Sequence, residues 1–144
     1  MLVASILAEK GSFVATTTGD AAILDAARGL TTYGVGALVV TSDGTSIEGI
    51  ISERDIAHAI ARHGADALGL PVRDVMTADV RTCGPLDTCD TLMRLMTEQR
   101  TRHVPVMEDA AMVGLVSIGD VVKRRVDELQ VESQVLHEYL YSGR

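Results

Sequence analysis

The 144-residue sequence has no tryptophan, and its one phenylalanine and three tyrosines make aromatics only 3% of the chain. With 47% of residues hydrophobic, the core has to be built from aliphatic side chains. Cysteine is equally sparse. Cys83 and Cys89 stand six positions apart with no second pair, which speaks against a disulfide framework and against a zinc site of paired ligands. Both are read as core thiols. Positive charge is also short: 13 Lys and Arg against 20 Asp and Glu leave a net charge of −7. That is the wrong sign for a protein that neutralises nucleic-acid phosphates, so any anion site has to be a local basic pocket. No apolar run reaches membrane-spanning length. The opening Met1 to Ala8 is mildly like a signal peptide, but it lacks a leading positive charge and Glu9-Lys10 cuts it short. The expectation is a soluble, cytoplasmic protein of one compact body, with no nucleic-acid or membrane partner.

What the sequence does have is an internal repeat. Residues 14–40 match 80–106 at an offset of 66, so that Val14-Ala15-Thr16 falls on Val80-Arg81-Thr82. Beyond a turn shortened by one residue, Gly49-Ile50-Ile51-Ser52-Glu53-Arg54-Asp55-Ile56 overlays Gly114-Leu115-Val116-Ser117-Ile118-Gly119-Asp120-Val121. The length change falls at Thr41 to Glu48, where Asp43-Gly44 between apolar runs signals a hairpin. Each copy reads as a short strand, an amphipathic helix, a hairpin and a second helix. The helical spacing is carried by Ala22, Ile23, Ala26, Ala27 and Leu30 in copy one and by Leu92, Met93, Leu95 and Met96 in copy two. The fold class is therefore α+β: two β-α-β-β-α units, each too small to bury its sheet alone, packed face to face. Repeat one is assigned to 1–64, a linker to 65–70, repeat two to 71–130 and a C-terminal helical extension to 131–144. A helix from about Ile118 to Leu140 carries Val122, Val126, Leu129, Leu136 and Leu140 in a heptad-like stripe. At ~34 Å it outruns a small body, so self-association through this helix is expected.

The Gly-x-x-Ser-x-x-Asp junctions carry the chemistry. Each ends a strand and starts a helix, where free backbone N–H groups and the helix dipole favour an oxyanion. Ser52 and Ser117 add hydroxyl donors. Asp55 and Asp120, as acceptor-only carboxylates, can take both hydroxyls of a ribose. Ser-x-x-Asp is also a helix cap that needs no ligand. Against the cap stands the choice of Asp in both copies, where a reciprocal cap commonly uses the longer Glu or Gln. Arg54, Arg102 and His103 are the natural phosphate partners. No activated nucleophile, metal cluster or phosphate-binding loop accompanies them, and Gly34-Val35-Gly36 follows a helix rather than a strand, so an enzyme is not indicated.

These motifs resemble those of a tandem pair of cystathionine-β-synthase (CBS) domains, a Bateman module. The likeness covers residues 1–130 and rests on Gly36-Ala37-Leu38-Val39-Val40, Arg102-His103-Val104-Pro105-Val106, Asp74-Val75-Met76-Thr77 and the two junctions. It implies a pseudo-two-fold pair, usually dimerising again, with clefts for an adenine nucleotide such as AMP, ADP, ATP or NAD(H) as a regulatory ligand rather than a catalytic cofactor. By that resemblance Asp120 and Asp55 hold ribose, Ser117 and Ser52 approach phosphate, and Arg102, His103 and Arg54 neutralise it. The adenine would lie near Val104, Pro105 and Ile118 in one cleft and near Gly36 and Ala37 in the other, with Thr16 and Thr82 close by. Gly119 stands where copy one has Arg54, and Gly36-Ala37 where copy two has Arg102-His103. Copy two's own junction is therefore expected to be the better site. The alternative is a ligand-free interaction module acting through its C-terminal helix.

Overall fold

The computed structural model describes residues 1–143; Arg144, the last residue of the expected C-terminal extension, lies outside the described residues. In copy one, strand β1 (Thr16–Thr17) pairs in parallel with β2 (Ala37–Val40), and β2 pairs antiparallel with β3 (Gly49–Ser52). Between β1 and β2 runs helix α2 (Ile23–Tyr33), which ends on Gly34 at φ 64°, a left-handed position suited to glycine. Strand β3 leads into α3 (Glu53–His63). Copy two has α5 (Cys89–Gln99), the hairpin β4 (His103–Glu108) and β5 (Ala111–Ser117), and then α6 (Ile118–Ser142). Its expected first strand shrinks to a single parallel bridge between Cys83 and Val106. Two backbone bonds hold it there, from the Cys83 amide to the Pro105 carbonyl at 3.0 Å and from the Met107 amide to the Cys83 carbonyl at 2.8 Å.

Two segments missed by the periodicity complete the copies crosswise. The opening run forms α1 (Val3–Lys10), and its Val3 and Ile6 are buried in the core of copy two with Cys83, Cys89, Leu92 and Val104. The segment between the copies forms a 3-10 turn (Gly64–Gly69) and α4 (Val72–Val75), and Val72 is buried in the core of copy one with Ile23, Leu38 and Ile51. Equivalent backbone bonds fasten both. The Cys89 amide bonds the Met1 carbonyl at 2.9 Å, and the Ile23 amide bonds the Leu70 carbonyl at 2.9 Å. Each copy thus takes its last packing layer from a segment outside its sequence repeat.

The buried β2 explains why its sequence is uniformly apolar. Successive side chains point to opposite faces. Leu38 and Val40 join the core of copy one, while Ala37 and Val39 meet Ile50 and Leu115 between the two copies. Both cysteines are free and buried, as core thiols should be, and burial pushes the Cys83 thiol up to about 12. The turn at Asp43-Gly44 is ordered by the Asp43 carboxylate. It accepts from the Thr45 and Ser46 amides at 2.8 and 2.7 Å, which hold it far below the usual carboxylate range.

Helix α6 spans 25 residues and buries only Val121 fully. The stripe residues Val122, Val126, Leu129, Leu136 and Leu140 are each at least 45% exposed. Among the described residues no helix is long and apolar enough to cross a membrane.

Candidate functional site

Both junctions close as reciprocal caps. The Ser52 hydroxyl accepts from the Asp55 amide at 3.3 Å, and Asp55 Oδ2 accepts from the Ser52 amide at 2.9 Å. Ser117 and Asp120 repeat the arrangement at 3.2 and 2.8 Å. The shorter Asp therefore does what Glu commonly does in such a cap, and the choice of Asp says nothing against capping. A further helix-start amide is taken in each copy: Glu53 donates to the Gly36 carbonyl at 3.0 Å and Ile118 to the Arg102 carbonyl at 2.8 Å. Two helix-start amides of each junction are thus occupied, and arginine side chains add to the positive field.

They do so in one place. A cavity of about 490 Å³ opens between the copies, within the size range of small-molecule sites. Copy one contributes Gly36, Ile50 and the junction Ser52-Glu53-Arg54-Asp55. The rest of the lining comes from Thr77, Asp79, Val80 and Arg81 and from Gln99 through Thr101 and Arg102 to His103. A smaller cavity of about 250 Å³ shares Arg54, Arg100, Thr101 and Arg102 with it and adds Met96, Thr97 and Ile118. Four arginines, Arg54, Arg81, Arg100 and Arg102, face three carboxylates, Glu53, Asp55 and Asp79, in a chain whose net charge is −7. Arg81 lies 3.6 Å from Asp79, whereas Arg54, Arg100 and Arg102 have no carboxylate within 4.0 Å among the described residues. Asp55 Oδ1 meets the Thr77 hydroxyl at 3.3 Å.

The expected pairing of residues changes here. Arg102 and His103 were placed with their own copy's junction, but the main cavity brings them together with Ser52, Arg54 and Asp55 of the other copy. The start of the copy-two hairpin thus meets its own junction through the Arg102 carbonyl and the copy-one junction across the cavity. His103 lies between the two: it pairs with Ser117 in the ladder, and a side chain at Gly36 would come within 3.3 Å of its ring. Burial first, and then Lys10, lower the His103 pKa, against a smaller raising effect of Asp120 and Glu53, so the charged ring is disfavoured in the cleft as it stands. Ser117, Gly119 and Asp120 do not line the main cavity, and Ile118 lines only the smaller one. Ala37, Val104 and Pro105 are buried, while Thr16 and Thr82 are exposed and line neither cavity.

Three contributors were missed from sequence. Arg81 and Arg100 lie outside the motifs, and Arg100 caps α5 in the left-handed region at φ 51°. Lys10, taken only as the end of an apolar run, places Nζ 2.6 Å from Asp120 Oδ2 and 2.7 Å from the Leu115 carbonyl. Burial raises the Asp120 pKa, but the Lys10 and Ser117 hydrogen bonds outweigh it and hold the carboxyl below its ordinary value.

The CBS domain family model matches residues 12–62 and 72–127, one match on each copy. The chain belongs to the CBS domain family. The tandem pair is 40% identical over 137 residues to the mitochondrial CBS domain-containing protein CBSX3 of Arabidopsis thaliana, covering 92% of this chain and 66% of that protein's length. Among solved structures, the CBS-domain containing protein ATU1752 of Agrobacterium tumefaciens superposes with a TM-score of 0.85 at 42% identity, covering 87% of this chain and 99% of that one. The CBS domain pair of protein MJ0100, solved in complex with 5′-methylthioadenosine and S-adenosyl-L-methionine, superposes with a TM-score of 0.76 at 26% identity, covering 85% and 98%.

Proposed function

We propose that this CBS pair is a non-enzymatic regulatory module that binds an adenine nucleotide in the cleft between its copies. The observation that carries the reading is the convergence of Asp55, a ribose acceptor, with Arg54, Arg100 and Arg102, which have no carboxylate of their own among the described residues. The adenosine-containing ligands of the MJ0100 pair support the class of ligand. A nucleotide in this cleft touches both copies, and it regulates by binding one arrangement of them more tightly than another. AMP, ADP, ATP and NAD(H) all present the ribose and phosphate the cleft would recognise. Thermal unfolding with millimolar AMP, ATP and NADH tests this. A ligand at a hundred times its Kd adds about 2.7 kcal/mol, which for a chain of this size raises Tm by roughly 5–10 °C. No shift with any of them overturns the reading.

A second reading, an interaction module without ligand, is favoured by the ligand-free closure of both caps and by the exposed stripe on α6. Both readings include self-association, and we assign the stripe to a second copy of this chain. Basic residues Lys123, Arg124 and Arg125 lie early in α6 and Glu128, Glu132 and Glu138 lie later, so an antiparallel pair sets opposite charges together. Ending the chain after Lys123 should lower the assembly number measured by light scattering; an unchanged number excludes α6 as the contact.

A further inference from the structure

Arg54, Arg100 and Arg102, the arginines without a carboxylate partner, line both cavities. Glu53, Asp55 and Asp79 line the main cavity alone, and no acidic residue lines the smaller one. The site therefore has a mixed end, where a carboxylate can take a ribose, and a purely cationic end beside Met96, Thr97 and Ile118. Each of these three arginines corresponds in the repeat to a glycine: Arg54 to Gly119, Arg100 to Gly34 and Arg102 to Gly36. The other copy builds the same backbone with no side chain at these positions, so the fold itself does not call for one.

Arg100 sits where glycine is the ordinary choice. It ends α5 at φ 51° and ψ 37°, the left-handed conformation that Gly34 takes at φ 64° at the end of α2. A β-carbon crowds the backbone there, which is why helices so commonly end on glycine. Two other non-glycine residues have positive φ among the described residues, Asp109 and Ala110, and they form the two-residue turn between β4 and β5, where such angles match the strand twist. Arg100 keeps its strained backbone for a side chain that is exposed and makes no ion pair among the described residues. Strain of this kind collects at ligand clamps, where a side chain has to be held in place. The cap does the holding: the Arg100 and Thr101 amides both bond the Met96 carbonyl, the latter at 3.1 Å.

Resting on the nucleotide reading above, we propose that Arg100 selects for phosphate-chain length: with the ribose at Asp55, a chain of two or more phosphates continues past Arg54 and Arg102 to Arg100 at the cationic end. A monophosphate presents one phosphate to three arginines. A diphosphate gives the guanidinium groups a second set of oxygens, in charge-assisted bonds that arginine makes well. Arg100 is then a specificity-determining residue that favours ADP over AMP, and copy one, with Gly34 in its place, has no equivalent.

Titration calorimetry with AMP and ADP on the full chain, at fixed salt and without divalent metal, tests this together with thermal unfolding of the wild type, Arg100→Gly and Arg100→Ala. The wild type should bind ADP roughly ten- to a hundredfold more tightly than AMP. Arg100→Gly should lose about tenfold or more in ADP affinity and leave AMP within about twofold, while relief of the left-handed strain raises Tm by a few °C. Arg100→Ala should lose the same ADP affinity without the gain in Tm, which separates the lost charge from the relieved backbone. Equal loss of AMP and ADP in either variant, unchanged ADP affinity, or a lower Tm in Arg100→Gly overturns the proposal. Equal affinity of the wild type for AMP and ADP overturns the role of Arg100 and leaves the nucleotide reading standing. Binding of neither ligand overturns both.

Discussion

Replacing Asp55 by alanine is expected to weaken AMP or ATP binding by roughly ten- to a hundredfold. A hydrogen bond to a charged acceptor contributes about 1.5–3 kcal/mol, and Asp55 Oδ1, whose one partner among the described residues is the Thr77 hydroxyl at 3.3 Å, is the carboxylate oxygen available to a ribose in the cleft. The same change removes the cap on α3, which costs about 1 kcal/mol of stability. The two effects separate cleanly when affinity is measured by calorimetry well below the melting transition. Lower Tm with unchanged affinity makes Asp55 a cap and nothing more. Lower Tm with weaker binding gives it both roles.

Gly49→Ala should destabilise the fold by about 1–3 kcal/mol, the usual cost of forcing a group into a packed site. A β-carbon at Gly49 would stand 2.8 Å from the Thr77 carbonyl and 2.6 Å from Met76 Sδ, because the segment completing copy one lies directly on β3. Backbone has to move to admit it. At Gly114, the matching position, the obstacle is the tip of Leu7, at 2.6 Å, a flexible side chain that can rotate away. Gly114→Ala should therefore cost clearly less. Denaturant unfolding of the two variants decides it, and equal losses would contradict the crosswise packing. Displacing Thr77 also disturbs the partner of Asp55, so Gly49→Ala should weaken nucleotide binding as well.

These glycines show what was legible in the sequence. The repeat offset exposed both copies, their hairpins and the long last helix, because strand and helix periodicities are local. It also located the glycine that opens each junction motif. It could not say why glycine stands there, since the obstructing residues, Leu7 and Met76-Thr77, come from segments outside the matched blocks. Helix α1 escaped notice for a similar reason: eight residues with two buried positions carry too little pattern. The site was half legible. Ser52, Asp55, Arg54, Arg102 and His103 were all singled out, but the repeat says which residues are equivalent, not which copy's residues face each other. That pairing depends on how the copies pack, and it sets Arg102 and His103 beside Arg54 and Asp55 as well as beside their own junction. Burial, which disfavours a charge on His103, is likewise not visible in the sequence.

The most direct measurement is an amide-resolved NMR titration of the protein with AMP. If the nucleotide binds where Asp55 meets the arginines, the largest shifts fall on residues 52–55, 77–81 and 99–103, with little change at Gly34, Gly119 and Asp120. Largest shifts at Gly119 and Asp120, or none at saturating AMP, would contradict the assignment.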